Sequence, residues 1–164
     1  MTDALALSTD DLDRLRRCVE LAAEALAAGD DPFGSLLVDE HGTVLAEDRN
    51  REVTDQDFSL HPEFTLAQWA ASHMTASQRA AATVYTSGEH CPMCSAAHGW
   101  AGLGRIVYAA SSAQLQRWRS EFGLPASPVA ALPVGTVLPG ATVHGPAPEF
   151  EAQLRELHRR AASR

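Results

Sequence analysis

The sequence predicts an α/β fold, and three observations support this prediction. An apolar stripe with the spacing of one helix face runs from Leu12 to Leu26. Two short apolar runs, 33–38 and 43–46, flank a polar turn that contains a glycine, which predicts a β-hairpin. A strand, a helix and a second strand follow one another over residues 83–110, an order typical of parallel neighbours in a sheet.

The amino-terminal half supplies a helix, the hairpin and a long loop. Ser8 or Thr9 caps the first helix, and Gly29 ends it. Cys18 falls near the apolar stripe of this helix, where a small buried core residue is a better explanation than a metal or redox role. After the hairpin a polar loop continues to Leu60, and a loop of this length often serves a binding site.

The carboxy-terminal half alternates short strands and helices. The expected elements are, in order, a helix from Pro62, a strand at 83–86, a turn at 87–90, a helix from Cys91, a strand at 105–110 and a helix that Ser111 or Ser112 caps and Gly123 closes. The stretch 125–148 is rich in Pro and Gly and predicts no separate domain, only a short edge strand at 142–144. The pattern of the tail, 148–164, predicts a last amphipathic helix.

Composition predicts one globular domain over residues 1–164, because 45% of the residues are hydrophobic and 21% are charged. No apolar run approaches the length of a membrane span, and the start Met1-Thr2-Asp3-Ala4 lacks the basic residues of a signal peptide. Two of the three cysteines lie in one Cys-x-x-Cys stretch, which argues against a disulfide framework. We therefore expect a cytoplasmic protein. The net charge of -8 disfavours a nucleic acid as a partner.

Two short stretches, His61-Pro62-Glu63 and Cys91-Pro92-Met93-Cys94, carry the residues of a hydrolytic zinc site. One imidazole and two thiolates make three of the four tetrahedral ligands that Zn²⁺ prefers, and a missing fourth ligand leaves a position for water. We therefore expect His61, Cys91 and Cys94 to bind zinc. Glu63 lies two residues beyond His61, so its carboxylate can approach the metal-activated water as a general acid and base without becoming a ligand.

A His-x-Glu motif followed by a Cys-x-x-Cys motif is typical of zinc deaminases. On these two motifs the sequence resembles the cytidine deaminase-like superfamily, and the stretch 32–110 resembles its branch of guanine, cytosine and tRNA adenosine deaminases. The resemblance implies a three-layer fold with a mixed central sheet of about five strands flanked by helices. It also implies a homodimer, which light scattering tests. The sequence departs from the usual pattern at Pro62, where Ala is common, and at His90, where Pro is common.

The same resemblance implies a set of substrate-binding residues. Asn50 corresponds to an Asn that hydrogen-bonds the substrate, although without the resemblance it would be interpreted as a turn former. Phe33 lies near the base pocket in this branch, and a strand Phe in the core is the alternative. His90 changes the helix start or lines the pocket, and Trp100 completes the expected set. The helix at 148–164 corresponds to one that closes the active site of its own subunit or of a partner.

The function that this interpretation predicts is zinc-dependent hydrolytic deamination of a free nucleobase or a related amino-heterocycle, with release of ammonia. Guanine, cytosine and aminated triazines are the expected class. A nucleoside and a tRNA adenosine are the alternatives, and the acidic composition disfavours the tRNA. Guanine and adenosine deaminases of this branch carry an acidic residue after the fourth strand, where this chain has Ser111-Ser112.

Three other classes compete with this interpretation. A Cys-x-x-Cys that opens a helix also occurs in thioredoxin-like redox proteins, which have no need of a His-x-Glu at a second helix start. A structural zinc site would close with a fourth protein ligand, for which His90 or His98 is the candidate. A binding module without catalysis is the third class, and it gives no chemical reason for Glu63.

Overall fold

The computed structural model describes residues 7–164, so the start Met1-Thr2-Asp3-Ala4 discussed above lies outside the described residues. The elements are, in chain order, α1 (Thr9–Ala28), β1 (Gly34–Val38), β2 (Val44–Arg49), α2 (Pro62–His73), α3 (Ala76–Ala81), β3 (Thr83–Gly88), α4 (Pro92–Ala101), β4 (Arg105–Ala110), α5 (Ser112–Glu121), α6 (Val134–Val137), β5 (Val143–His144), a 3₁₀ turn (Pro148–Phe150) and α7 (Glu151–Ala162). Within residues 7–164, no helix has the length and apolar character needed to cross a bilayer.

One mixed sheet of five strands forms the centre, in the order β2-β1-β3-β4-β5. Strand β1 is antiparallel to both β2 and β3, which confirms the predicted hairpin. Strands β3 and β4 are parallel, as the strand-helix-strand succession predicts, and the short edge strand β5 is parallel to β4. The predicted fold class, an α/β fold with a mixed sheet of about five strands flanked by helices, is confirmed.

Helices cover both faces of the sheet, and the alternation of β1 shows how. Leu36 packs in a core cluster with residues of α1, α5 and α7, whereas its neighbour Leu37 packs in a second cluster with residues of α2. Successive side chains of a strand point to opposite faces, so each face of β1 has its own helical layer. Both clusters consist of side chains that are almost completely buried.

The structure extends two strands and adds two short helices relative to the sequence predictions. Strand β3 continues to Gly88, where a turn was expected, because it pairs with β4 as far as Gly88 opposite Ala110. Helix α3 has a capping box between Thr75 and Gln78 but buries none of its residues, so it has no apolar stripe to predict it. Helix α6 has only four residues.

One edge of the sheet gathers the ends of several strands. Gly34 at the start of β1 lies opposite Arg49 at the end of β2, and Ser35 lies opposite Thr86 near the end of β3. The residues just outside these strands therefore meet at this edge. The backbone N–H of Asn50 donates to the carbonyl of Phe33 at 3.0 Å, which joins the two segments directly.

A buried carboxylate ties α1 to the middle of the sheet. Asp11 is 4% exposed and accepts hydrogen bonds from the Arg105 guanidinium at 2.8 and 3.0 Å and from the Tyr85 hydroxyl at 2.8 Å. It also accepts the backbone N–H of Ser8 at 3.0 Å, which completes a capping box. Burial by itself raises the pKa of Asp11, but the hydrogen bonds from Arg105, Ser8 and Tyr85 outweigh it and hold the pKa well below its usual range.

Replacing Asp11 by Ala is expected to destabilise the fold by about 2–4 kcal/mol at pH 7. Breaking a buried ion pair typically costs about 3–5 kcal/mol, and the loss is smaller here because the Arg105 side chain keeps 30% exposure. A carboxylate with a depressed pKa stabilises the native state above its unfolded pKa of about 4 and loses this effect as the pH falls. Urea denaturation should therefore show a smaller difference between the two proteins at pH 3 than at pH 7.

The matched control for this prediction is Asp13→Ala on the same helix. Among residues 7–164, Asp13 pairs with the exposed side chain of Arg16 alone, so its removal should change the free energy of unfolding by no more than about 0.5 kcal/mol. Equal stability of the Asp11→Ala variant and the parent protein at pH 7 would contradict the proposed importance of the Asp11 network.

Candidate active site and metal centre

Two helix starts present the residues of the predicted metal site. His61 is the N-cap of α2 and Cys91 is the N-cap of α4, and both have extended backbone conformations followed by a proline at the first helical position. The His61 side chain makes no cap hydrogen bond, so the ring is available for another partner. The sulfur of Cys91 accepts the backbone N–H of Cys94 at 3.5 Å, and the unpaired N–H groups of a first helical turn favour such a negative sulfur.

The three side chains converge with the spacing that a zinc ion requires. His61 Nδ1 lies 3.7 Å from Cys91 Sγ and 3.6 Å from Cys94 Sγ. A tetrahedral Zn²⁺ with ordinary bond lengths to nitrogen and sulfur would separate such ligand atoms by about 3.6 Å. All three ligand atoms lie within 4.8 Å of one another. The group is therefore positioned to bind a metal ion, and its donor set fits zinc.

Among the described residues this group contains three members and no fourth. The two candidates for a closing ligand have other positions. His98 directs Nε2 at the backbone carbonyl of Gly104 at 3.0 Å, and the His90 ring packs edge-on against His98 with 5.2 Å between ring centres. A three-ligand group with one free position is the arrangement of catalytic zinc sites rather than of structural ones.

The pKa values of His61 and Cys91 are shifted by the neighbouring groups of the site. Burial by itself lowers the pKa of His61, but its hydrogen bonds with Cys91 and Glu52 outweigh burial and raise the pKa to about 10. The Cys94 thiol, the His61 ring and the Cys94 backbone N–H favour the thiolate of Cys91 and, against the effect of burial, lower its pKa to about 4. Metal binding must therefore displace a proton from His61, which makes metal uptake dependent on pH.

Glu63 lies in the interior beside this group. Glu63 is only 5% exposed, and its Oε2 is 3.9 Å from Cys94 Sγ. The hydroxyl of Thr86 donates to Oε1 at 3.0 Å, and the hydroxyl of Ser35 donates to Thr86 at 2.9 Å. Burial raises the pKa of Glu63 to about 7, which the neighbouring His61 offsets only in part. A carboxyl group that titrates near neutral pH is suited to moving protons.

Asn50, predicted to bind substrate, is fully buried and pairs with a residue that the sequence analysis missed. Its Nδ2 donates to Glu52 Oε2 at 2.7 Å, and its Oδ1 accepts the backbone N–H of Glu52 at 3.1 Å. The other carboxylate oxygen of Glu52 lies 3.3 Å from His61 Nε2. No spacing rule in the sequence indicates Glu52, because an acidic residue in a polar loop is most simply explained by contact with solvent. The substrate-binding role of Asn50 stays a prediction.

Phe33 lies at the same edge of the sheet and lines a cavity of about 310 Å³ between α5 and α7. Its ring packs edge-on against His158 of α7 with 5.1 Å between ring centres. A Cβ atom at Gly88 would come within 2.8 Å of this ring, so the ring lies directly against the end of β3 that leads to Cys91. A larger groove of about 550 Å³ lies at the opposite edge, at the amino ends of β3 and β4, and His, Cys and acidic residues are absent from its lining.

The other two predicted substrate-binding residues, His90 and Trp100, differ in burial, and their substrate-binding roles stay predictions. Trp100 is 91% exposed near the end of α4, about two and a half helical turns beyond Cys91, and a side chain this exposed is not part of an enclosed pocket. The fully buried His90 packs against His98, as described above. His90 stands where Pro is common in the family pattern, and its ring is buried against α4.

Glu89, two residues before Cys91, contacts the first residues of the helices α5 and α6. Its carboxylate accepts the backbone N–H of Ser112 at 2.7 Å and that of Val134 at 2.8 Å. Ser111 caps α5 through its own hydroxyl, which confirms one of the two predicted caps. The pair Ser111-Ser112 thus forms a helix start that Glu89 binds, in the place where an acidic residue was expected from the resemblance.

Comparison with known proteins identifies deaminases as relatives of this chain. The model of the cytidine and deoxycytidylate deaminase zinc-binding region matches residues 8–110. A probable cytosine deaminase of Schizosaccharomyces pombe is 34% identical over 71% of this chain and 70% of its own length. The guanine deaminase of Bacillus subtilis is 39% identical over 58% of this chain and 62% of its own length.

A solved guanine deaminase from Nitrosomonas europaea supports the fold alone. It superimposes with a TM-score of 0.72 at 22% identity, and the match covers 97% of this chain and 87% of the other. The family match includes both helix starts and the whole three-residue metal group. The chain belongs to the cytidine and deoxycytidylate deaminase family of zinc-binding proteins.

Proposed function

We propose that this protein is a hydrolytic deaminase of a free nucleobase or a related amino-heterocycle, of the guanine, cytosine or aminated triazine type. The observation that carries the proposal is the position of Glu63. Its buried carboxyl group lies beside a three-residue metal group, and the Thr86 hydroxyl holds one of its oxygens while the other faces the Cys94 sulfur at 3.9 Å. A structural zinc site or a dithiol redox centre has no need of this carboxyl group.

In this proposal His61, Cys91 and Cys94 hold Zn²⁺, which when bound makes a water molecule acidic enough to act as a nucleophile near neutral pH. Glu63 accepts the proton of the attacking water and passes it to the ring nitrogen next to the reacting carbon. Glu63 then carries the second proton of the added water to the exocyclic amine, the bond between the ring carbon and this nitrogen breaks, and ammonia leaves. The product is the corresponding ring carbonyl compound, so one water is consumed for each ammonia released.

The class of substrate rests on charge and on the relatives. A net charge of -8 opposes the approach of a polyanion, whereas a small neutral base is not repelled. The two relatives described above are named for cytosine and for guanine. A tRNA-specific adenosine deaminase of Haemophilus influenzae is also similar, with 30% identity over 68% of this chain, so a tRNA remains the second candidate.

The single domain over residues 1–164, the homodimer and the cytoplasmic location predicted from the sequence are proposals as well. Thiols that serve as metal ligands suit a reducing compartment. Helix α7 packs on α5 of its own chain and reaches Phe33 through His158. This contact supports the proposal that α7 closes the site of its own subunit.

The test is ammonia release by the zinc-loaded protein over a panel of guanine, cytosine, adenine, their nucleosides, amino-triazines and a tRNA anticodon stem. We expect release from at least one free base. Activity on the RNA alone would move the assignment to tRNA editing, and activity on nucleosides alone would move it to nucleoside deamination. Silence over the whole panel, in a preparation with about one zinc per chain, would reject the proposed enzyme and favour a structural zinc site.

A further inference from the structure

We propose that Glu52 is a positioning residue that holds the His61 ring and the Asn50 amide in a fixed relation to each other. This inference rests on the proposed role of His61 as a metal ligand. Glu52 lies in the loop between β2 and α2, and one carboxylate oxygen contacts His61 Nε2 at 3.3 Å while the other accepts Asn50 Nδ2 at 2.7 Å. Its carboxylate is the only group of the described chain that contacts both residues at once through its two oxygens.

The contact with His61 selects the tautomer that a metal ligand needs. The Nδ1 atom of His61 faces the sulfurs of Cys91 and Cys94 at 3.7 and 3.6 Å. A neutral imidazole that offers the lone pair of Nδ1 carries its proton on Nε2, where it is a donor. A carboxylate oxygen of Glu52 lies 3.3 Å from this nitrogen, so in the proposal it accepts the Nε2 proton, restricts the rotation of the ring and increases the basicity of Nδ1.

The contact with Asn50 closes a small ring of hydrogen bonds. Asn50 Oδ1 accepts the Glu52 backbone N–H at 3.1 Å, and Asn50 Nδ2 donates to the Glu52 carboxylate at 2.7 Å. Rotating the amide by half a turn would place a donor against the backbone N–H and an acceptor against the carboxylate. The amide is therefore held in one orientation, which leaves one N–H and one lone pair for another partner.

The backbone around Glu52 is fixed independently of its side chain. The carboxylate of Asp30, which is fully buried, accepts the backbone N–H groups of Val53 at 3.0 Å and Thr54 at 2.9 Å. It also accepts the Thr54 hydroxyl at 2.9 Å and pairs with Arg49 at 3.0 Å. Because Asp30 anchors the residues directly after Glu52, a change of the Glu52 side chain should leave the loop in place.

Two substitutions test whether the Glu52 carboxylate itself is needed or only a side chain of its size. Glu52→Ala removes both contacts. Glu52→Gln keeps the size of the side chain but presents one oxygen and one N–H₂ group to two donors, so it satisfies either His61 or Asn50 and not both. Asp55→Asn is the control, because it removes one negative charge from the same loop, where the side chain of Asp55 pairs with Arg51 and with no other side chain of the described residues.

The first measurement is zinc affinity by competition with a chelator, which does not depend on the identity of the substrate. Loss of such an outer partner typically weakens metal binding about 10–100-fold, and we expect this range for Glu52→Ala and at least the lower end for Glu52→Gln. The absorption spectrum of bound Co²⁺ should also change, because the ring of His61 is released. The Asp55→Asn variant should bind zinc as the parent protein does. Circular dichroism of each variant confirms that the protein compared is folded.

Zinc affinity within about threefold of the parent in both Glu52 variants would overturn the proposal. An equal loss of zinc affinity in Asp55→Asn would also overturn it, because the loss would then follow from the removed charge alone. A weakened metal site in a protein that is silent over the substrate panel would leave this inference standing and reject only the deaminase. With a substrate identified, saturating zinc should restore kcat of Glu52→Ala more completely than KM, because Asn50 is no longer fixed in that variant. A KM equal to that of the parent would reject the link to Asn50.

Discussion

Replacing Glu63 by Gln is expected to leave zinc bound and to reduce ammonia release by about 10²–10⁴-fold, the usual contribution of a general acid and base. The amide is as large as the carboxyl group and can still accept the Thr86 hydroxyl that now donates to Glu63 at 3.0 Å. It cannot take a proton from water or return one to the substrate. Because Glu63 is not a member of the metal group, the loss should occur in kcat and leave metal binding intact.

The measurement compares kcat, KM and zinc content of the two proteins on the same substrate. Glu40→Gln is a suitable control, since Glu40 lies in the exposed hairpin turn and the same change of a carboxyl group to an amide is made there away from the metal group. Turnover of the Glu63→Gln variant near that of the parent would exclude Glu63 as the proton carrier. Loss of zinc together with activity would instead indicate that Glu63 supports the metal.

The metal group could be predicted from the sequence because its geometry is local. Cys91 and Cys94 face one direction on a first helical turn, and His61 opens a helix that Pro62 begins, so each helix start could be predicted from its own residues. The strand order that brings the two starts together has no such local origin. It depends on the parallel pairing of β3 and β4 and on the antiparallel pairing of β1 between its neighbours.

The residues that support the site gave no such local signal. Thr86 and Ser35 lie on strands, where their residue types are ordinary, and their contact with each other and with Glu63 follows from the register of β1 and β3. By its position in the sequence, Asp11 is simply an acidic residue in the first turn of a helix, and its partner Arg105 is 94 positions away in the chain. Contacts of this range depend on the tertiary fold, which a periodic pattern does not describe.

The exposure of Trp100 could not be predicted from the sequence either. It follows Cys91 on a helix with apolar residues, and an aromatic side chain on such a helix is usually at least half-buried. In the structure it is 91% exposed, whereas the buried residues of this helix are Cys94, Ser95 and His98. The position of a side chain around a short helix is decided by what packs on that helix, and the sequence of the helix alone left this open.

Cys94→Ala should remove zinc from the protein and reduce ammonia release to background. Cys94 is fully buried, and it supplies one of three ligand atoms, 3.6 Å from His61 Nδ1. Two protein ligands do not complete the coordination that Zn²⁺ takes in catalytic sites, so dialysis against a weak chelator should lower the zinc content from about one per chain to nearly none. The side chain lost is small, so the fold itself should persist in the absence of metal.

Cys18→Ala makes the same chemical change at a thiol that has no place in the metal group. Cys18 is fully buried in α1, and burial raises the pKa of its thiol, so it offers no thiolate to a metal. This variant should keep its zinc and its turnover, with a loss of stability of about 1 kcal/mol. Zinc content and activity measured on both variants distinguish a ligand from a core residue. Zinc retained by Cys94→Ala, or lost equally by Cys18→Ala, would contradict the assignment of Cys94.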